Sequence, residues 1–158
     1  MAIDVLVRPL LPLPIFKGLK PLQITEIARR AERIIYRPGS VIIEEDAIGD
    51  AAVLIVSGDA VKVSGFDYSG VPEPVPAGSL VGEMAMLVES MHSSTVVARG
   101  SVKALRIQRS EMHAQMELDP SLADHFLTCI TGRLKTLSDD LRQADRSFSD
   151  WSTSAQLH

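Results

Sequence analysis

The chain has a single cysteine among its 158 residues, and this scarcity excludes several classes of protein. One thiol, Cys129, cannot form an intrachain disulfide. It also cannot by itself complete the cysteine set of an iron–sulfur cluster or a structural zinc site. We therefore expect a protein that works in a reducing, cytoplasmic setting and has no resident cofactor.

The chain also has fewer basic residues than acidic residues. The sequence has 16 lysine and arginine residues against 20 aspartate and glutamate residues, which gives a net charge of −4 and a pI near 5.5. A protein that binds nucleic acid usually has an excess of positive charge on one face. We therefore expect no direct DNA binding by this chain.

Long apolar runs are missing as well. The N-terminal stretch "MAIDVLVRPLLPLPIF" is interrupted by Arg8, Pro9, Pro12 and Pro14, and Asp4 precedes its first basic residue. It is too short and broken to span a bilayer, and it lacks the charged start and the cleavage site of a signal peptide. We interpret residues 1–11 as a segment packed on the domain surface, with no membrane span and with a peripheral membrane contact as the alternative.

The central part of the chain is rich in short β-branched runs. After an amphipathic helix that starts at Pro21, the runs "RIIY", "SVIIEE", "AAVLIVSG", "AVKVSG", "STVVA" and "VKALRIQ" alternate with turn residues, and Gly39 and Gly58 suit positive φ. This pattern predicts an α+β, mainly β fold: an antiparallel β-roll or jelly roll with short N-terminal helices. Residues 64–77 are interpreted as an exposed connection between two strands, with a lid over a pocket as the alternative.

The last third of the chain is predicted to be helical. A short helix in "QRSEMHAQMELDP" would be capped by Ser110, and Asp119-Pro120 would start a long helix over 120–145. Its apolar residues recur at intervals of three and four, a heptad pattern that favours a homodimer over an intramolecular partner. The seam consists of Leu127, Ile130, Leu134, Leu137, Leu141 and Ala144. A second apolar stripe on a neighbouring face, which can pack on the strands, consists of Leu122, Phe126 and Cys129. Residues 146–158 read as a polar, frayed tail.

The order of these elements resembles a known family. A helix, short strands with an early Pro-Gly turn, the hairpin "GDAAVLIVSGDAVKV", the runs "GSLVGEMAML" and "STVVA", and a long helix resemble the cyclic nucleotide-binding domain of catabolite-activator-type regulators and cyclic-nucleotide-dependent kinases. The resemblance covers residues 12–145. It implies a non-enzymatic regulatory module that binds cAMP or cGMP.

The Gly-Glu run also suits a phosphorylated ligand on physical grounds. Met84 to Leu87 are predicted to form one helical turn, and the first amides of such a turn point toward an anion. Gly82 allows close approach of the backbone to the ligand. Glu83 only accepts hydrogen bonds and suits a ribose hydroxyl, which is the role of this glutamate in the family. The alternative is an acid favoured at a helix start by the macrodipole.

One residue departs from the family pattern. In the family an arginine follows the Gly-Glu run and clamps the cyclic phosphate, whereas this sequence reads "MHSSTVV" and has His92 in that place. Losing a charged hydrogen-bonding partner costs about 1.5–3 kcal/mol, or about ten- to a hundredfold in affinity. Ser93 and Ser94 match the two small residues that follow, and the Ser93 hydroxyl can donate to a phosphate oxygen. Arg99 would compensate only if the chain folded it back.

Three functional hypotheses remain open at this level. The first is a sensor that binds a cyclic nucleotide weakly and signals through its long helix, and the second is a degenerate domain that serves as a dimerisation or protein-interaction module. The third is a metal-dependent barrel enzyme of the cupin kind, which needs clustered ligands that the four separated histidines do not supply. Because the chain ends at His158 without a helix-turn-helix, we expect it to work through a partner or to be one domain of a longer protein. Thr128 and Thr131 are candidate contacts to a base.

Overall fold

The structure is a computed structural model that describes residues 7–63, 71–132, 138–139 and 141–143. The chain divides into two compact units, residues 1–122 and residues 123–158. The first unit contains the β-strands and the predicted ligand residues. In the second unit, residues 123–132 continue the helix that begins at residue 120.

Short antiparallel strands make up most of the first unit. Two four-stranded sheets have the orders β1-β10-β4-β7 and β2-β9-β5-β6, and β3 pairs with β8 in a separate ribbon. The described strands are β1 (Glu32–Tyr36), β2 (Val41–Ile43), β3 (Ile48–Gly49), β4 (Ala51–Ser57), β5 (Ala60–Val63), β6 (Glu73–Val75), β7 (Leu80–Val81), β8 (Ser90–Met91), β9 (Thr95–Ala98) and β10 (Val102–Gln108). This arrangement confirms the predicted mainly β, antiparallel fold.

Aliphatic side chains from both four-stranded sheets form the main core. Its buried members are Ile42, Ile43, Val53, Ile55, Ala60, Val75, Val96, Ala98, Val102 and Ala104. Aromatic side chains contribute little to this cluster, which fits the low aromatic content of the sequence. The core therefore depends on close packing of β-branched residues on two facing sheets.

Two helical elements of the first unit begin at a proline, whereas the helix after β10 begins without a capping side chain. A 3-10 turn spans Pro14–Phe16, α1 spans Pro21–Arg30 with Pro21 at its first position, and α2 spans Arg109–Leu118. The prediction that Ser110 caps α2 is wrong, because Gln108 is the N-cap residue and makes no side-chain cap bond. Strand β10 continues directly into α2, so Ser110 already lies inside the helix.

The start of the last helix, α3 (residues 120–132), agrees with the prediction. The carboxylate of Asp119 accepts hydrogen bonds from the backbone amides of Ser121 and Leu122, at 3.1 and 3.4 Å. It also accepts a bond of 2.9 Å from the side-chain amide of Gln23, and this bond, together with that from Ser121, lowers the pKa of Asp119. Asp119 is therefore the N-cap of α3.

One sequence interpretation needs correction. Residues 73–75 form strand β6 on β5, so residues 64–77 are not all a connection; residues 64–70 lie outside the described residues. In the N-terminal segment, Leu10 is fully buried and Leu11 is 53% exposed, which is consistent with a segment packed on the domain surface. Among the described residues, no helix is long and apolar enough to cross a bilayer.

Gly39 and Gly58 both adopt positive φ, as predicted, but their surroundings differ. A Cβ at Gly39 (φ 87°) would meet nothing within 4 Å, whereas a Cβ at Gly58 (φ 111°) would overlap the carbonyl oxygen of Ser101 and lie 2.8 Å from the Cα of Val102. Backbone strain thus acts at both positions, and steric overlap acts only at Gly58.

We expect Gly58→Ala to destabilise the protein more than Gly39→Ala. The backbone strain of a left-handed alanine costs about 1–2 kcal/mol at either position. Overlap with Ser101 and Val102 adds about 1–3 kcal/mol at position 58 only. Urea unfolding of both variants and the unsubstituted protein measures the difference, and equal losses of unfolding free energy would contradict it.

Candidate functional site

A short turn carries the predicted Gly-Glu motif. Gly82 has φ 65° and ψ 35°, a left-handed conformation that favours glycine, and Glu83–Met86 form a 3-10 turn directly after it. The amide of Ala85 donates to the carbonyl of Gly82 at 3.0 Å, and the amide of Val88 donates to that of Met84 at 2.9 Å. The predicted helical turn is present, but it starts at Glu83 rather than Met84 and is too short for a dipole argument.

The backbone of His92 is held on both sides by the loop that follows β2. The amide of Asp46 donates to the carbonyl of His92 at 2.9 Å, and the amide of His92 donates to the carbonyl of Ala47 at 3.0 Å. Asp46 has φ 65°, which is uncommon for a residue with a side chain. These bonds fix the point from which the imidazole projects.

The imidazole of His92 occupies a slot between two glycines. A Cβ at Gly49 would lie 2.6 Å from Cε1 of the imidazole, and a Cβ at Gly82 would lie 2.7 Å from the same atom. Side chains at these two positions would therefore collide with the ring. Gly49 ends strand β3, and Gly82 opens the 83–86 turn, so His92 links the ribbon to the predicted ligand turn.

Burial lowers the pKa of His92 below its ordinary value of 6.5, and the nearby carboxylate of Asp50 opposes this shift by raising it. The physical cause is desolvation, which disfavours the charged imidazolium. The folded protein therefore favours the neutral imidazole near pH 7. A bound anion beside the ring would act in the same direction as Asp50.

The other predicted ligand residues differ in exposure. Gly82, Glu83 and Met84 are half-buried at the turn, Ser93 is exposed, and Ser94 is 6% exposed. The turn, the Gly49–Gly82 slot and His92 thus form one connected region, with Ser93 next to it in the chain. Arg99 is exposed, and its backbone amide donates to the carbonyl of Asp59 at 2.8 Å, in the turn between β4 and β5.

Sequence reasoning missed two side chains that contact the same turn. Nη1 of Arg109 donates to the carbonyl of Gly49 at 2.9 Å, to that of Val88 at 3.2 Å and, more distantly, to that of Ala85 at 3.4 Å. Nε2 of His113 lies 2.8 Å from the carbonyl oxygen of Leu87. No local signal marks these residues, because their partners lie more than 20 positions away in the chain.

A polar cleft of about 330 Å³ lies at the start of α2. Its lining residues are Asp50, Gln108, Arg109, Ser110 and His113. None of the predicted ligand residues lines it, so this cleft is not the predicted nucleotide pocket. In the described part of the chain, no group of three or more His, Cys, Asp or Glu side chains is placed to hold a metal ion.

The predicted dimer seam and base contacts lie on or beyond α3. Leu127 is 61% exposed and Leu141 is 62% exposed, while Leu134, Leu137 and Ala144 fall outside the residues whose side chains are described. Of the second stripe, Leu122 and Phe126 are buried. The hydroxyls of Thr128 and Thr131 donate to the carbonyls four residues earlier, Asp124 and Leu127, at 2.9 and 2.8 Å. Both hydroxyls therefore bond within their own helix.

Comparison with known families decides the family of this fold. The family model for the cyclic nucleotide-binding domain matches residues 33–119, which is more than half of the chain and runs from the second residue of β1 to the residue after α2. The chain belongs to the cyclic nucleotide-binding domain family. The resemblance inferred from the Gly-Glu run and the strand order is thereby confirmed.

Relatives within this family include regulatory proteins. The chain is 38% identical over 96 residues to the cAMP-dependent protein kinase regulatory subunit of Aspergillus fumigatus, a match that covers 61% of this chain and 23% of that protein. The chain thus spans about a quarter of the length of this curated relative. The cyclic nucleotide-binding match and this relative support a regulatory nucleotide-binding domain.

Two solved structures with a similar fold are from Brucella abortus and Streptomyces coelicolor. A cyclic nucleotide-binding-like protein from Brucella abortus superposes with a TM-score of 0.66 at 30% identity, covering 72% of this chain and 99% of that one. The N-terminal domain of a transcriptional regulator from Streptomyces coelicolor superposes with a TM-score of 0.69 at 21% identity, and the match covers 86% of this chain and 93% of that one. The second likeness establishes the fold alone.

The lowered pKa of His92 predicts a specific dependence of stability on pH. Because the unfolded chain binds a proton at this residue more readily than the folded protein does, His92 makes the fold less stable as pH falls below about 6.5. The loss levels off once pH lies below the folded-state pKa. A His92→Gln variant lacks this contribution. Between pH 7 and pH 5, its unfolding free energy should therefore fall less than that of the unsubstituted protein.

Two-dimensional NMR of the imidazole provides the direct measurement. The His92 resonances should titrate below the value of an unstructured histidine, and Asp50→Asn should lower the pKa further, since it removes the nearby negative charge. A His92 pKa at or above that of an unstructured histidine would contradict the prediction.

Proposed function

We propose that this chain is a regulatory binding module that senses a cyclic nucleotide, cAMP or cGMP, with His92 in the place of the family's phosphate-clamp arginine. The single observation that carries the proposal is the contact of the His92 ring with Gly82, the first residue of the Gly-Glu turn in a chain that belongs to the cyclic nucleotide-binding domain family. The proposed role is binding rather than catalysis.

Each predicted ligand residue has a proposed part. Gly82 and the backbone at Met84 allow the nucleotide to approach the turn, and Glu83 accepts a hydrogen bond from a ribose hydroxyl. His92 donates to the cyclic phosphate, and the exposed hydroxyl of Ser93 supplies a second donor. Ser94 is a small, buried residue at the start of β9 that keeps this side of the site compact.

A neutral imidazole binds an anion less strongly than a guanidinium does. It has one ring donor instead of a fork of donors, and burial disfavours its charged form. We therefore propose weak binding that strengthens when the imidazole is protonated. This protonation couples nucleotide binding to proton uptake, since a bound phosphate favours the imidazolium and raises the pKa of His92.

The proposed function predicts pH-dependent nucleotide binding. Calorimetric titration with cAMP and with cGMP at pH 6 and pH 8 should show tighter binding at pH 6, because more imidazolium is present there. His92→Arg should bind about ten- to a hundredfold tighter than the unsubstituted protein at pH 8, as expected for one restored charged hydrogen-bonding partner. His92→Gln should lose the pH dependence.

A pair of acidic residues provides the control. Glu83→Gln should weaken nucleotide binding, whereas Glu89→Gln, in the exposed loop after the turn, should leave it unchanged. Absence of binding by the unsubstituted protein, with clear binding by His92→Arg, would reject the sensor and favour the degenerate interaction module. Absence of binding by both proteins would reject a nucleotide site in this chain.

We further propose that the chain forms a homodimer through the seam of α3 and its continuation, in a cytoplasmic setting, and that a protein partner receives the signal. The proposal is supported by the exposure of Leu127 on α3 and of Leu141, both of which present apolar area that the described residues leave exposed. Burial of a leucine seam in a coiled coil is the ordinary way for such a helix to lose that area.

The dimer proposal predicts a change in mass. Sedimentation velocity should show a dimer for the unsubstituted protein and a monomer for Leu127→Glu, because a buried unpaired carboxylate at the seam is strongly unfavourable. Thr128→Glu, at the adjacent exposed position, should remain dimeric. A monomeric unsubstituted protein at high concentration would contradict the proposal.

A further inference from the structure

The carbonyl end of the 83–86 turn is capped by side chains from another element. Helical turns end with carbonyl groups that have no partner inside the turn. Here the carbonyls of Ala85 and Val88 accept bonds from Arg109, and the carbonyl of Leu87 accepts one from His113. Arg109 and His113 are four residues apart on α2 and therefore lie on the same face of the helix.

Arg109 joins three parts of the molecule at one nitrogen. Its Nη1 donates to Gly49 on strand β3 as well as to the end of the turn, and Arg109 is itself the first residue of α2. Its backbone amide also donates to the carbonyl of Asp50, the residue after β3, at 2.7 Å. A shift of Gly49 or of the turn must therefore move Arg109 or break these bonds.

The His113 contact also defines a proton position. A carbonyl oxygen only accepts hydrogen bonds, so at 2.8 Å the Nε2 atom of His113 must carry the proton. Both donors thus point from α2 toward the turn. The opposite, amide end of the turn starts at Gly82, against which the ring of His92 packs. The proposed ligand end and the α2 end of the turn are only a few residues apart.

We infer that Arg109 and His113 are positioning residues that couple the 83–86 turn to α2, so that a disturbance at Gly82 changes the stability of the helix. The inference rests on the proposed function in one respect, namely that a bound nucleotide is what would disturb the turn at Gly82. The coupling itself is a property of the free protein and is testable without a ligand.

Amide hydrogen exchange measures the coupling. Gly82→Ala disturbs the turn directly, because an alanine there is strained at φ 65° and its Cβ would lie 2.7 Å from Cε1 of His92. The relative exchange of α2 is the exchange rate of its amides from Met112 to Leu118 divided by that of the Leu105 amide in β10. A loss of stability that affects the whole unit equally does not change this ratio. We expect the relative exchange of α2 to rise about fivefold or more.

The same substitution is then made in three further backgrounds. The first background is the double variant Arg109→Met with His113→Phe, which removes both donors and keeps apolar bulk. In this background, Gly82→Ala should change the relative exchange of α2 less than twofold. Arg109→Lys with His113→Gln retains a donor at each position and should restore the effect. Arg30→Gln removes the 3.2 Å ion pair of Arg30 with Glu111 on α2 without touching the turn, and should behave as the unsubstituted protein.

Two outcomes would overturn the inference. One is an unchanged effect of Gly82→Ala in the double variant, and the other is no effect in the unsubstituted background. If the double variant fails to melt cooperatively, His113→Phe alone replaces it, since position 113 is exposed and tolerates the change.

A parallel series with saturating cAMP separates this inference from the proposed function. A nucleotide that changes α2 exchange in the unsubstituted protein but not in the double variant supports both. If no cAMP binds, the proposed function fails while the Gly82→Ala comparison still decides the coupling.

Discussion

The antiparallel ladder between β4 and β10 determines where the rest of the first unit can lie. Its register pairs Ala51 with Gln108 at one end and continues into the bond from the Arg109 amide to Asp50. If β10 slipped by one residue against β4, the side chains of β10 that face the core would move to the opposite face of the sheet. Because the ladder is held in this register, Arg109 meets Gly49, and Gly49 in turn forms one wall of the slot that receives His92.

The slot suits either the imidazole of His92 or the guanidinium of the arginine that the resemblance to the family predicts at this position. Both groups are flat, and the two glycines leave a space that accepts a flat group. They differ in charge, because a guanidinium remains charged at any pH of interest whereas burial favours the neutral imidazole. The same geometry thus supports either a constant or a pH-dependent anion contact.

The features that sequence reasoning predicted well are those set by neighbours in the chain. Asp119 as an N-cap, the positive φ of Gly39 and Gly58, and the turn after Gly82 each follow from a few adjacent residues. The contacts of Gly49 and Arg109 could not be predicted in this way, because they join positions brought together only by the sheet. The prediction for Ser110 failed for a related reason. Serine is a good capping residue, but strand β10 runs directly into α2, so the helix begins at Arg109 and Ser110 lies inside it.

The packing of one ring against two glycines makes three positions interdependent. A larger residue at position 49 would require a smaller one at position 92 and also a shift of Ala85, whose Cβ would lie 2.9 Å from the added atom. Position 82 is restricted further by its left-handed backbone. Substitutions at these sites should therefore show strong epistasis. In evolution, a ring at position 92 can be kept only while both glycines are kept, so residues 49, 82 and 92 should covary as a set.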